Sequence, residues 1–86
     1  MPEISRFYGI VIRMYYDEHE PPHFHAIYSG EEAEIELDPI CLAQGNLPTR
    51  ALSMVLDWAE LHRLELLDNW DRMRADHSPQ RVRPLR

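Results

Sequence analysis

Three of the chain's five histidines fall within seven residues, His19-Glu20-Pro21-Pro22-His23-Phe24-His25. Imidazole titrates near neutral pH and is the commonest metal ligand, so two chemistries suit this run. As ligands, His19, His23 and His25 offer three imidazoles to zinc or another divalent ion, with Glu34 or Glu36 as a fourth ligand or orienting carboxylate. Without a metal, His23 and His25 take and return protons while Glu34 or Glu36 fixes a tautomer. Arg13, or Arg6, then holds an anionic group such as a phosphate, and Tyr15 and Tyr28 stack or hydrogen-bond with a base. RNA cleavage fits such an array, although no nuclease motif stands out. The plainer alternatives are a solvated sheet face that happens to carry histidines, or a partner interface built on it.

The elements that must position these residues are legible in outline. Phe7–Tyr16 reads as a central strand, rich in β-branched and aromatic residues. Residues 17–22 are a polar turn, with Pro21-Pro22 favouring an extended conformation. His23–Tyr28 and Glu32–Asp38 read as a hairpin about Ser29-Gly30. In the latter strand Ala33, Ile35 and Leu37 alternate with Glu32, Glu34, Glu36 and Asp38, the pattern of a half-buried antiparallel strand. Parity then constrains the histidines. A Ser29-Gly30 loop sets Phe24 against Ile35, Ala26 against Ala33, His25 against Glu34 and His23 against Glu36. A Gly30-Glu31 loop shifts the pairs but keeps His and Glu on one face, whereas a three-residue loop mixes the faces. Ile40–Gln44 adds a short fourth strand before Gly45-Asn46.

From Thr49 to about Arg74 apolar residues recur every three or four positions, with Asn46 or Thr49 as N-cap. One straight helix of this length would span ~39 Å, so a break near Leu61–Leu64 is expected. His62 reads as a packed, hydrogen-bonded residue of the apolar stripe. Trp58, Trp70 and Cys41 read as core, and Asp57, Glu60, Arg63 and Glu65 as a solvated helix face. The fold expected is a single α+β domain over 1–86. It is a small antiparallel sheet of three to four strands over about 6–44, packed against a helical segment over about 47–75. That segment is one long helix or two consecutive ones. Residues 77–86, rich in Arg and Pro, read as a partly extended arm whose composition cannot pack a core.

Net charge is −6 and every basic residue is arginine. Residues 1–47 carry Arg6 and Arg13 against nine acidic groups, while residues 48–86 carry seven arginines against six. This balance argues against salt-driven binding to nucleic acid at large, but permits a local arginine–phosphate contact. A lone Cys41 excludes an intrachain disulfide and a thiolate zinc cluster. No apolar run nears the ~20 residues of a membrane span, and Met1–Arg6 lacks the features of a signal peptide. A cytoplasmic protein is expected.

Several of these residues resemble a known family. The opening Met1-Pro2-x-Ile4-Ser5-Arg6-Phe7-Tyr8-Gly9-Ile10, Met14-Tyr15 and His19-x-Pro21-Pro22-His23-Phe24-His25-Ala26 are similar to domain-of-unknown-function family 4160. So are Leu47-Pro48-x-Arg50-Ala51-Leu52 and Trp58-Ala59-Glu60-Leu61-His62-Arg63-x-Glu65-Leu66-Leu67-x-Asn69-Trp70. The resemblance covers about residues 1–75. It departs at Leu64, where relatives usually carry a charge. Members are often encoded beside a second small family, domain of unknown function 2442, and the pair has been viewed as a type II toxin–antitoxin module. The resemblance therefore implies the toxin component, with a small protein antitoxin as partner, but transfers no catalytic residue.

The expectation is thus a toxin acting through its His-rich face, on RNA, with His23, His25, Glu34 and Arg13 as the working residues. The alternatives are a divalent-metal-binding domain using His19, His23 and His25, or a non-catalytic regulatory or adaptor module. Whether the protein is an enzyme stays open. Neither a membrane nor a small-molecule cofactor is called for.

Overall fold

A computed structural model describes residues 2–86. In chain order the elements are β1 (Glu3–Phe7), β2 (Ile10–Arg13), β3 (His23–Tyr28), β4 (Glu31–Leu37), β5 (Ile40–Gly45), α1 (Thr49–Leu61) and α2 (Arg63–Arg74). The strands form one antiparallel sheet whose spatial order follows the chain, followed by two consecutive helices.

The expected three to four strands become five, because Phe7–Tyr16 is not one strand. Tyr8 and Gly9 both have positive φ, 50° and 78°, and turn β1 into β2. Two consecutive residues at positive φ are the mark of a type I′ hairpin turn, which matches the twist of the strands it joins. Tyr8 is a strand former by composition, which hides the turn in the sequence. Ser29 and Gly30 make the same kind of turn, at 51° and 81°, between β3 and β4.

Alternation decides the two faces of the sheet. Ile4, Phe7, Ile10, Ile12, Phe24, Ala26, Ala33, Ile35 and Leu37 are buried and form the sheet's share of the core. The helices supply Ala51, Val55, Trp58 and Ala59 from α1, and Leu66, Asn69, Trp70 and Met73 from α2. Trp58 packs its ring against Phe7 at 5.2 Å and Phe24 at 5.7 Å, tying α1 to β1 and β3. The helices part at His62, whose φ of −117° leaves the helical region. Hydrogen bonds run through the break, from His62 N–H to Trp58 O and from Leu66 N–H to His62 O. His62 Nδ1 also pairs with Glu65 Oε1 at 2.6 Å.

Four smaller expectations are corrected. Pro48 occupies the N-cap of α1 without a side-chain cap; Asn46 Oδ1 instead accepts from Leu47 N–H. Cys41 is exposed on edge strand β5, with Sγ 3.8 Å from Glu36 Oε1. Arg63 is no free surface charge: it donates to Leu37 O and to Asp38 at the β4–β5 turn. The tail does pack. Val82 is 3% exposed, its N–H donates to Ile4 O, and Trp58 Nε1–H donates to Arg83 O. Asn69 holds Gln80 by both backbone groups. Val82, the partly buried Leu85 and these polar clamps suffice where composition alone promised no core. Among the described residues no helix is long and apolar enough to cross a membrane.

Candidate metal centre

The β3–β4 register is the one set by a Ser29-Gly30 loop: His23 opposes Glu36, Phe24 Ile35, His25 Glu34 and Ala26 Ala33. A row across the sheet joins Glu3, Arg13, His25, Glu34 and Gln44, one residue from each strand. Residues two apart on a strand share a face, so His23 and His25 sit side by side, ring centroids 5.4 Å apart.

What completes the site is the β2–β3 connection. Residues 14–22 carry Asp17, Pro21 and Pro22, which favour a loop, and the Glu20–Pro21 peptide is cis. The loop folds back over the sheet. Tyr15 meets the His25 ring edge-on at 4.7 Å, and Glu18 reaches both histidines. Glu18 Oε1 lies 2.5 Å from His25 Nε2, and Glu18 Oε2 lies 3.3 Å from His23 Nε2. Ligand atoms of Glu18, His23 and His25 all lie within 4.8 Å of one another.

Both rings have their second nitrogen fixed. His23 Nδ1–H donates to Pro21 O at 2.8 Å; a carbonyl only accepts, so the proton must be on Nδ1. His25 Nδ1–H donates to Glu32 Oε2 at 2.9 Å. Metal-binding histidines are held in this way, one nitrogen donating to a carbonyl or carboxylate while the other faces the ion. His23 is only 5% exposed and packs its ring against Trp70 at 5.1 Å. Its Nε2 is buried and stands 3.3 Å from Glu18 Oε2 without a well-formed hydrogen bond. A buried polar atom left unpaired costs stability unless something else meets it.

The electrostatics favour positive charge between these groups. Burial pushes the Glu18 carboxyl up, but the hydrogen bond and charge of His25, with His23 close by, outweigh it and hold Glu18 below the usual carboxylate range. Carboxylates face both nitrogens of His25, so either two protons or one proton and one metal ion satisfy that ring. Tetrahedral zinc bonds of ~2.0–2.1 Å set ligand atoms ~3.3 Å apart. The His23–Glu18 pair already has this spacing, and Glu18 would draw back from His25 to reach it.

The residues singled out from sequence are distributed unevenly. His23 and His25 enter the group. His19 is exposed and lies outside it, and the neighbouring Glu18 takes its place. Glu34 Oε1 stands 4.0 Å from His23 Nε2, diagonal to its direct partner His25. Glu36, opposite His23 in the register, accepts from Cys41 Sγ at 3.8 Å. Arg13 stands opposite His25 on β2, half-buried, with its Nε buried and unpartnered. Arg6 pairs with Glu3. Sequence reasoning missed Glu18 and Glu32. Glu32 shares the face of Glu34 by the same parity, so the strand pattern already contained it. Glu18 belongs to a loop and gives no periodic signal.

Two open clefts border the group. One of about 490 Å³ is lined by Pro2, Tyr15, Tyr16, Asp17 and Glu18. The other, about 280 Å³, is lined by His25, Glu32, Glu34, Gln44 and Gly45. Gly45 has φ of +70°, and a Cβ there would lie 2.1 Å from Glu32 O, so only glycine lets β5 lie this close to β4. Cys41 stands apart from the group, so the donor set is two imidazoles and a carboxylate. That set suits zinc, or iron(II) in the two-His-one-carboxylate arrangement, and leaves coordination positions for water or substrate.

The sequence model of the family described as "Domain of unknown function (DUF4160)" matches residues 9–71 of the 86. No curated protein and no solved structure matches the chain.

Proposed function

This chain belongs to the DUF4160 family, and we propose that it binds a first-row divalent metal ion through Glu18, His23 and His25. One observation carries the reading: His23 presents a buried, unpartnered Nε2 toward Glu18 while its Nδ1–H is committed to the Pro21 carbonyl. A metal ion, or a second proton on this ring, is what would meet that atom beside a carboxylate. His25 supports the reading, with Glu32 fixing Nδ1–H and Nε2 turned to Glu18. Glu34 stands beside the group as a further carboxylate. Three protein ligands leave room for exchangeable ones, which is the pattern of a working metal rather than a purely structural one.

Elemental analysis of protein purified without a histidine tag tests this. About one equivalent of zinc or iron, or its recovery on adding zinc or cobalt(II) to chelated protein, is expected. Protein that carries no metal and takes none up at micromolar concentration would overturn the reading.

The family resemblance supports a second reading of the same face, as the toxin of a two-gene module with a protein antitoxin, acting on RNA in the cytoplasm. Growth arrest on induced expression, relieved by the neighbouring gene product, is its expected signature. If His23→Ala and His25→Ala arrest growth as strongly as the wild type, the histidine face is not the toxic agent.

A further inference from the structure

We propose that Arg74, with Trp70 beneath it, is the positioning residue that holds Glu18 in place as a ligand; this rests on the metal reading above. Glu18 lies on the β2–β3 loop, outside the sheet's ladder, and its side chain must nonetheless stay over two strand histidines. Ordering a loop costs backbone entropy at every residue fixed. A ligand on an unfastened loop would lose metal affinity by that cost.

The fastening comes from the far end of the chain. Arg74 donates through Nη2 to Tyr15 O at 2.8 Å and Tyr16 O at 2.6 Å, and through Nη1 to Glu18 O itself. One guanidinium thus collects three loop carbonyls. A planar fork of donors is pre-organised for this in a way that an ammonium is not. The guanidinium carbon stands 4.3 Å from the centre of the Trp70 ring, one helical turn earlier on α2. That cation–π contact fixes the arginine's own position. Trp70 completes the fastening on the other side of the loop. Its Nε1–H donates to Glu20 Oε2 at 3.2 Å, and its ring packs on His23. Two residues on one face of α2 therefore touch the run at Tyr15, Tyr16, Glu18, Glu20 and His23. The sheet supplies the histidines, and α2 sets where the carboxylate meets them.

A merely structural arginine would lower stability without changing the ion's surroundings. Cobalt(II) separates the two cases, because its visible absorption reports ligand geometry independently of melting temperature. Arg74→Met is expected to lower cobalt(II) affinity ten- to a hundredfold, the range seen when residues that orient metal ligands are removed. It is also expected to alter the visible bands, and Arg74→Lys to recover only part of the affinity. Trp70→Phe keeps a smaller aromatic ring and deletes the bond to Glu20. It serves where Arg74→Met does not fold, with a severalfold loss expected. Wild-type affinity and bands in the folded Arg74→Met protein, or in Trp70→Phe where that variant stands in, would overturn the proposal. A wild-type protein that takes up no cobalt(II) would instead sink the metal reading itself.

Discussion

Glu18 Oε1 meets His25 Nε2 at 2.5 Å, joining a loop carboxylate to the middle of a strand. On the opposite edge of the same ring, Glu32 accepts from Nδ1–H. The proposed roles differ, and so do the expected effects. Glu32→Gln removes only the orienting charge and should weaken zinc binding ~10–100-fold. Glu18→Gln, His23→Ala and His25→Ala each remove a ligand and should weaken it further, while His19→Ala should bind as the wild type does. Calorimetric titration of zinc into the chelated proteins measures all five. A His19→Ala variant that loses binding would place the site elsewhere.

Arg13 suits a second role. It opposes His25 on the sheet, and among the described residues it has no ion pair. On the proposed metal reading, its place on the histidine face lets it hold an anion beside the ion. A hydrogen bond to a charged group contributes ~1.5–3 kcal/mol, so Arg13→Gln should weaken phosphate binding to the metal-loaded protein ~10–100-fold. Its zinc affinity should not change. Phosphate titration at fixed zinc decides the matter: equal affinities in the two proteins would remove the arginine from the site.

Asn69 is the clamp of the tail. At 1% exposure, its Nδ2–H donates to Gln80 O and its Oδ1 accepts from Gln80 N–H, both at 2.8 Å. Asn69→Ala leaves these backbone groups without their partner and should cost ~1–3 kcal/mol. A lowered urea midpoint and faster protease cutting after residue 77 are the expected readouts. An unchanged midpoint would mean that Val82 and the Trp58–Arg83 bond hold the tail unaided.

Glu3 carries the pH dependence of the β1 edge. The Arg6 side-chain hydrogen bond is the chief cause that its carboxyl is lowered to about 2; slight burial opposes this and Arg81 assists. A depressed carboxyl gives its support fully above the ordinary value of 4.5 and loses it as pH falls through about 2. Carbon-13 NMR of Glu3 Cδ should therefore show a midpoint near 2, and Arg6→Gln should raise it toward 4.5. A wild-type midpoint near 4.5 would show that the Arg6–Glu3 pair does not persist in solution.

Local patterns in the sequence specify much of this molecule. The period-two pattern of β4, with Ser29-Gly30 before it, is enough to put His23, His25 and the glutamates on one face, because a strand has only two faces. The 3.6-residue period between Thr49 and Arg74 is enough to mark the helices, and its length to require a break, which falls at His62. The turn at Tyr8-Gly9 escapes because a tyrosine at positive φ looks like a strand residue until the hairpin is seen. The packed tail escapes because Val82, Leu85 and a few backbone hydrogen bonds carry no periodic signal.

The third member of the proposed site was beyond the reach of any such pattern. His19 and Glu18 are neighbours in the loop, and nothing local says which of them turns inward. That was decided by Trp70 and Arg74, residues more than fifty positions away, once α2 packed beside the loop and collected its carbonyls. Periodicity reports which side of a regular element is buried. A loop has no such side, so the direction of its side chains is set only by what the rest of the chain brings against it.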